Sequence, residues 1–126
     1  MAKPLIVVST FKVRDGAADA LRGYYQRVAG IVEANEPRVI AFNGFLNEDA
    51  TEMTSVQVHP DAASMDFHME VLRDNWDESF GEYAELLEQV SIEYYGAPPA
   101  SALEMDAGRE GVRVKPRHIG GFTRGS

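Results

Sequence analysis

His68 is the residue of this chain best suited to acid–base chemistry. It lies in the run MDFHMEVL, on one helical stripe with Met65, Met69 and Leu72, so its ring should face the interior. An imidazole that titrates near neutrality, set in an apolar cavity, can accept a phenolic proton or orient an aromatic compound. The same spacing also suits a core histidine hydrogen-bonded to a strand side chain, and spacing alone leaves both readings open. His59 ends a strand-like run directly before Pro60, where a surface position is expected. Asp61, Asp66 and Glu70 stand near the two histidines, but no HExxH motif or closely spaced histidine pair accompanies them. A site of two histidines and one carboxylate would need a convergence that this spacing does not supply. The chain has no cysteine, which removes thiolate chemistry and thiolate ligation. Neither a metal nor any other cofactor is expected.

Polar residues inside apolar runs are the second source of chemistry. Ser9, Thr10, Asn43, Ser55, Gln57 and Tyr94 interrupt segments that would bury well without them. Burying such a group without a partner costs about 1–3 kcal/mol, so they must bond to one another or to a ligand. Asn43 and Gln57 lie on the two arms of a hairpin, where they either pair across it or form a pocket wall. Phe42, Phe45, Phe67, Trp76, Phe80, Tyr83, Tyr94 and Tyr95 could stack on a flat compound, although aromatics at helical or strand spacing also make ordinary core. No GxGxxG, phosphate-binding loop or nucleophile-elbow motif occurs, so nucleotide binding and serine hydrolysis lack support. The candidate set is His68 as the acid–base group, with Asn43, Gln57, Phe67, Trp76 and Tyr94 as contacts.

These side chains need elements to carry them. LIVVSTFKV at Leu5–Val13 is rich in β-branched residues and predicts a buried strand. Arg14-Asp15-Gly16 is turn chemistry with Asp15 a candidate N-cap. Leu21, Tyr24, Tyr25, Val28, Ile31 and Val32 then recur at spacings of three and four, predicting a helix over 17–35 that Pro37 ends. Runs 39–46 and Glu52–His59, joined by the polar Asn47-Glu48-Asp49-Ala50, predict a hairpin. Asp61 should cap a helix over 62–75, and a second helical stretch should open at Asp77-Glu78 and carry Phe80, Tyr83, Ala84 and Leu87 on one face. A fourth strand is expected over 90–95, then a short helix over 100–107 and an edge strand over 111–115. The order β-α-β-β-α-β predicts a ferredoxin-like α+β domain over 1–96, an antiparallel sheet with its helices on one face. Residues 97–126 form a C-terminal extension expected to pack on that domain or on a partner subunit.

Such a sheet has a second face, and the strands are apolar at both parities: Leu5 and Val7 alternate with Ile6 and Val8. Leaving that face wet would expose a large apolar patch, so a homodimer is expected. Net charge is −8, and Arg109, Arg113, Lys115, Arg117 and Arg124 stand against Glu110 alone at the C-terminal end. The body is therefore strongly acidic, which disfavours nucleic acid and anionic membrane as partners. The basic end is expected to lie on an acidic surface of this or another copy. No apolar run approaches the ~20 residues of a membrane span, and without a charged segment leading into an apolar one at its start no secretory signal is expected. The expected compartment is the cytoplasm.

The strand EMTSVQVH followed by the helix PDAASMDFHMEVL resembles the antibiotic-biosynthesis-monooxygenase-like family of the dimeric α+β barrel superfamily, whose third strand leads into a helix bearing a histidine. The resemblance covers roughly residues 3–96. It implies a homodimer with sheets packed together and a ligand cavity in each subunit between sheet and helices. Many members of that family are cofactor-free monooxygenases of quinols or polycyclic aromatics, some degrade haem, and others have no known activity. The haem-degrading branch uses an asparagine early in its first strand together with a tryptophan and a histidine. Here that strand carries Ser9 and Thr10, and Trp76 follows His68 instead of preceding it. The function so implied is a cofactor-independent monooxygenase-like enzyme acting on a small aromatic or quinol-type compound. His68 would take the proton, Gln57 or Asn43 would hold a ring oxygen, and Trp76 with Phe67 would form walls. The alternative is a non-catalytic dimeric protein that binds a small molecule.

Overall fold

The computed structural model describes residues 3–76 and 81–124. Asp77, Glu78 and Phe80 of the expected second helical stretch lie outside the described residues. Five strands form one sheet in the order β2-β3-β1-β4-β5. They are β1 (Leu5–Val13), β2 (Ala41–Leu46), β3 (Glu52–His59), β4 (Leu87–Tyr95) and β5 (Val112–Lys115). The first four pair antiparallel, while β5 runs parallel to β4. Parallel neighbours need a crossover, and the short helix α4 (Ala100–Met105) supplies it. The sheet is therefore mixed at that edge, an addition to the ferredoxin-like core.

Among the described residues the other helices are α1 (Ala18–Asn35), α2 (Ala62–Asp74) and the single-turn α3 (Tyr83–Leu86). Asp61 caps α2 as its position predicts, accepting the Ser64 N–H at 3.0 Å. Asp15 does not cap α1: the helix begins after Ala17 with no side-chain cap, and Asp15 is spent in a turn completed by Gly16 at φ +75°. β4 starts three residues earlier than expected, and Leu87 belongs to it. A bulge explains the extra length, since Thr10 faces Ser91 while Phe11 faces Gln89, leaving Val90 over. That bulge turns Gln89 to the same face as Phe11.

One face of the sheet is core. Leu5, Val7, Phe11 and Val13 of β1 are buried there. One cluster gathers around α1 (Leu21, Tyr24, Val28, Val32, Met53) and another around α2 and α4 (Met65, Met69, Ile92, Ala102). Gly44 is required on β2, because a Cβ there would sit 2.7 Å from the Tyr25 ring that lies across it. On the other face Ile6, Val8, Val56 and Val58 are only half-buried, and Phe45 and Val90 are 62% and 56% exposed. The apolar second face that the strand parity predicts is present, and the described residues leave it partly exposed.

The extension joins this domain through α4 against α2, the Ser101 hydroxyl donating to Asp66 at 2.5 Å, and the β4–β5 pairing. Gly111 at φ +76° cannot carry a Cβ, which would run into the Val90 carbonyl. Beyond Lys115 the described chain is largely exposed, with Ile119 at 99% and Phe122 at 78%. No helix of the described residues is long and apolar enough to cross a membrane.

Candidate functional site

The chemistry concentrates where the end of α1 meets α2. Glu36 follows α1 as its C-cap, its N–H bonded to the Val32 carbonyl at 2.8 Å, and Pro37 turns the chain away. The Glu36 side chain points inward, and both its oxygens lie 2.8 and 2.9 Å from Nδ1 of His68 on α2. Both residues are buried, 3% and 2% exposed. A carboxylate at the negative end of a helix dipole is unfavourable by itself, so the His68 N–H is what stabilises it. Nδ1–H donates to the carboxylate, which leaves Nε2 as the outward nitrogen. Among the described residues Nε2 has no bonded partner, and no buried side-chain polar atom is unpartnered. Nε2 therefore meets the cavity that His68 lines.

His59 is a correction. It is fully buried, at 0% exposure, where a surface position is expected from the following Pro60. Asp61 caps α2 directly after the strand, and this tight entry folds Ser64 back over the ring. Burial first, and the nearby His68 ring second, push its pKa down to about 4, against a smaller opposing pull from Asp61. The ring is thus neutral at physiological pH and carries one N–H. Since Gln57 Oε1 only accepts, Nε2–H donates to it at 3.0 Å, and the Ser64 hydroxyl donates to Nδ1 at 2.8 Å. Gln57 lines the cavity with its oxygen already committed to His59, which leaves its NH2 group as the available donor. The His59 and His68 rings are 5.9 Å apart, but among the described residues no group of three His, Asp or Glu side chains gathers as metal ligands.

The cavity opens between α1 and α2 over the inner face of the sheet and offers about 160 Å³. That is close to the ~150 Å³ of an apolar cavity that accepts benzene, so a single ring fits. Its floor holds Ser9, Ser55, Gln57 and Gln89 from three adjacent strands, and Tyr25 stacks on Phe42 with centroids 5.4 Å apart. Burial pushes the Tyr24 and Tyr25 hydroxyls up to about 12 and raises Tyr83 as well. These phenols stay neutral near pH 7. They can donate hydrogen bonds, whereas the His68 ring offers a nitrogen that can accept one.

Of the candidate residues, the fold brings His68, Gln57 and Trp76 to one cavity, Trp76 at its rim with 41% exposure. It does not bring the other three. Asn43 faces Val56 and not Gln57, whose partner is Phe42. This one-residue offset puts Asn43 on the opposite, exposed face, so the two amides do not pair across the hairpin. Phe67 is 46% exposed and lies beside Pro37 and Arg38 in a separate depression. Tyr94 is buried on the α4 side and donates its hydroxyl to Asp106. Sequence reasoning missed Glu36, Tyr25, Gln89 and Arg109. Only Glu36 carried a local signal: an acid at a helix C-terminus, before proline, calls for a compensating donor.

No family model matches the chain, and no curated protein sequence does. Solved structures do. MupZ from Pseudomonas fluorescens has a TM-score of 0.68 at 17% identity, covering 97% of this chain and 95% of that one. SnoaB, a cofactor-independent oxygenase from Streptomyces nogalater, scores 0.62 at 16% identity over 78% of this chain and 96% of its own. A candidate antibiotic biosynthesis monooxygenase from Bacteriodes thetaiotaomicron scores 0.57 at 12% identity over 77% and 90%. The MupZ likeness takes in the C-terminal extension. Strand order, helix placement and these likenesses together give the chain a ferredoxin-like α+β fold shared with these solved proteins.

Proposed function

We propose that this protein is a cofactor-independent monooxygenase-like enzyme acting on a small aromatic, quinol-type compound bound in the cavity. The observation that carries the reading is the buried Glu36–His68 pair, with Nε2 free at the wall of an aromatic-lined cavity. Glu36 holds the imidazole in one tautomer and stabilises the imidazolium formed when Nε2 takes a ring hydroxyl proton. The resulting anion is electron-rich enough to react with dioxygen directly. A quinol and dioxygen then give a hydroxylated quinone and one water, all four electrons coming from the substrate. The Gln57 NH2 would donate to a ring oxygen, and Tyr25 and Phe42 would flank the ring. The oxygenase fold likeness supports the same chemistry.

The test is oxygen uptake with a panel of quinols, comparing the wild type with His68→Gln. We expect a rate loss of about 100-fold or more with retained secondary structure by circular dichroism. Equal rates would remove His68 from the mechanism, and ligand-induced thermal stabilisation without any turnover would favour a binding protein instead.

The functional unit is proposed to be a homodimer in which the outer sheet faces cover one another. The uncovered Ile6, Val8, Val56, Val58 and Phe45 support this, as does the exposed basic segment after Lys115, which complements an acidic body. Sedimentation at micromolar concentration should give twice 13.9 kDa, and Phe45→Glu, at a site already exposed, should yield the monomer. A lone folded 13.9-kDa species in the wild type would refute the dimer.

A further inference from the structure

Arg109 reaches the cavity mouth from the C-terminal extension, and Met105 lines the same mouth. The turn that closes α4 holds it there: its N–H bonds to the Asp106 carbonyl at 3.0 Å, and Gly108 takes φ +81°. The extension is itself fastened, by the β4–β5 pairing and by Tyr94 donating to the buried Asp106 carboxylate. The guanidinium donates through one Nη to the neutral Gln89 Oε1. Among the described residues it forms no ion pair. Most other cations among the described residues are likewise without an ion pair, but they do not stand at the cavity. Asp106, on the same turn, is committed to Tyr94 instead. Arg109 is also the only lysine or arginine among the described residues that line the cavity.

A guanidinium positioned in this way keeps N–H donors free in the planar fork that matches a carboxylate. A single such group, with no lysine beside it, suits a monoanion better than a phosphate dianion. We propose that the compound bound here carries a carboxylate, held by Arg109 at the mouth, on a ring that enters the apolar interior toward His68. The inference rests on the reading of the cavity as a substrate site, and not on the oxygen chemistry.

Calorimetric titration of the full chain with 2,5-dihydroxybenzoate and with its methyl ester tests it. The wild type should bind the acid about tenfold more tightly than the ester. Arg109→Gln should erase that preference, and Arg109→Lys should keep part of it. Equal affinity for acid and ester in the wild type would overturn the proposal. So would no binding of the acid at millimolar concentration, or an equal loss for both compounds in Arg109→Gln. Oxygen uptake recorded on the same mixtures separates the two readings. Acid preference without uptake keeps Arg109 and sinks the oxygenase, whereas uptake without acid preference does the reverse.

Discussion

Replacing His68 with leucine is expected to destabilise the fold by about 3–5 kcal/mol. The reason lies in what is left behind. Glu36 is 3% exposed, and its two oxygens share one donor, the His68 ring. Leucine fills the space of the imidazole but strands a carboxylate away from water. Removing the acid at the same time should relieve this, so the His68→Leu/Glu36→Leu double variant should be more stable than His68→Leu. Urea denaturation of the wild type, both single variants and the double variant gives the coupling energy. Additive effects of the two single changes would mean that the pair is not coupled, and the basis for His68 as a positioned base would go with it. Activity and stability are separable here, because neither variant carrying His68→Leu can take a proton at position 68, whatever its stability.

Acidification should destabilise the protein through His59. In the unfolded chain this histidine titrates at its ordinary value of 6.5, while in the fold it titrates at about 4. Between those values the unfolded state binds a proton that the folded state refuses, so stability falls as pH falls. The integrated effect of a shift of this size is roughly 3 kcal/mol. Asp61 and Asp49 are held below the usual carboxylate value of 3.8, Asp61 chiefly by the Arg38 side chain and Asp49 chiefly by the Thr51 hydroxyl. Their contributions are also lost on acidification, but at lower pH. His59→Gln isolates the histidine: the wild type should lose about 3 kcal/mol more than the variant between pH 6.5 and pH 4. Parallel stability curves for the two proteins would place His59 in contact with water. Protonating His59 also disturbs the bonds that orient Gln57, so substrate affinity should weaken over the same range.

Much of the framework was legible because its signals are local. β1 and β3 have the bounds that their β-branched and alternating residues predict, and Asp61 caps α2 as its place before the periodic run requires. The His68 stripe was likewise readable from spacings of three and four, because a helix repeats every 3.6 residues wherever it packs. The apolar residues at both parities of the strands announced a face that one chain cannot cover.

The site itself was another matter. Glu36 and His68 are 32 residues apart, and no local rule joins an acid after one helix to an imidazole on the next. His59 looks like a strand-end residue until α2 folds back over it and Ser64 and Gln57 enclose the ring. Asn43 and Gln57 look like partners until the hairpin register shifts them by one residue and so to opposite faces. Gln89 faces inward only because Val90 bulges, and Arg109 reaches the mouth only because α4 carries the chain back to run parallel with β4. Hydrophobic periodicity and capping depend on neighbours within a few residues, and the amino-acid order alone determined them. The acid–base pair, the donor face and the charged rim depend on which distant segments meet and at what register, and the packed tertiary structure alone decided those.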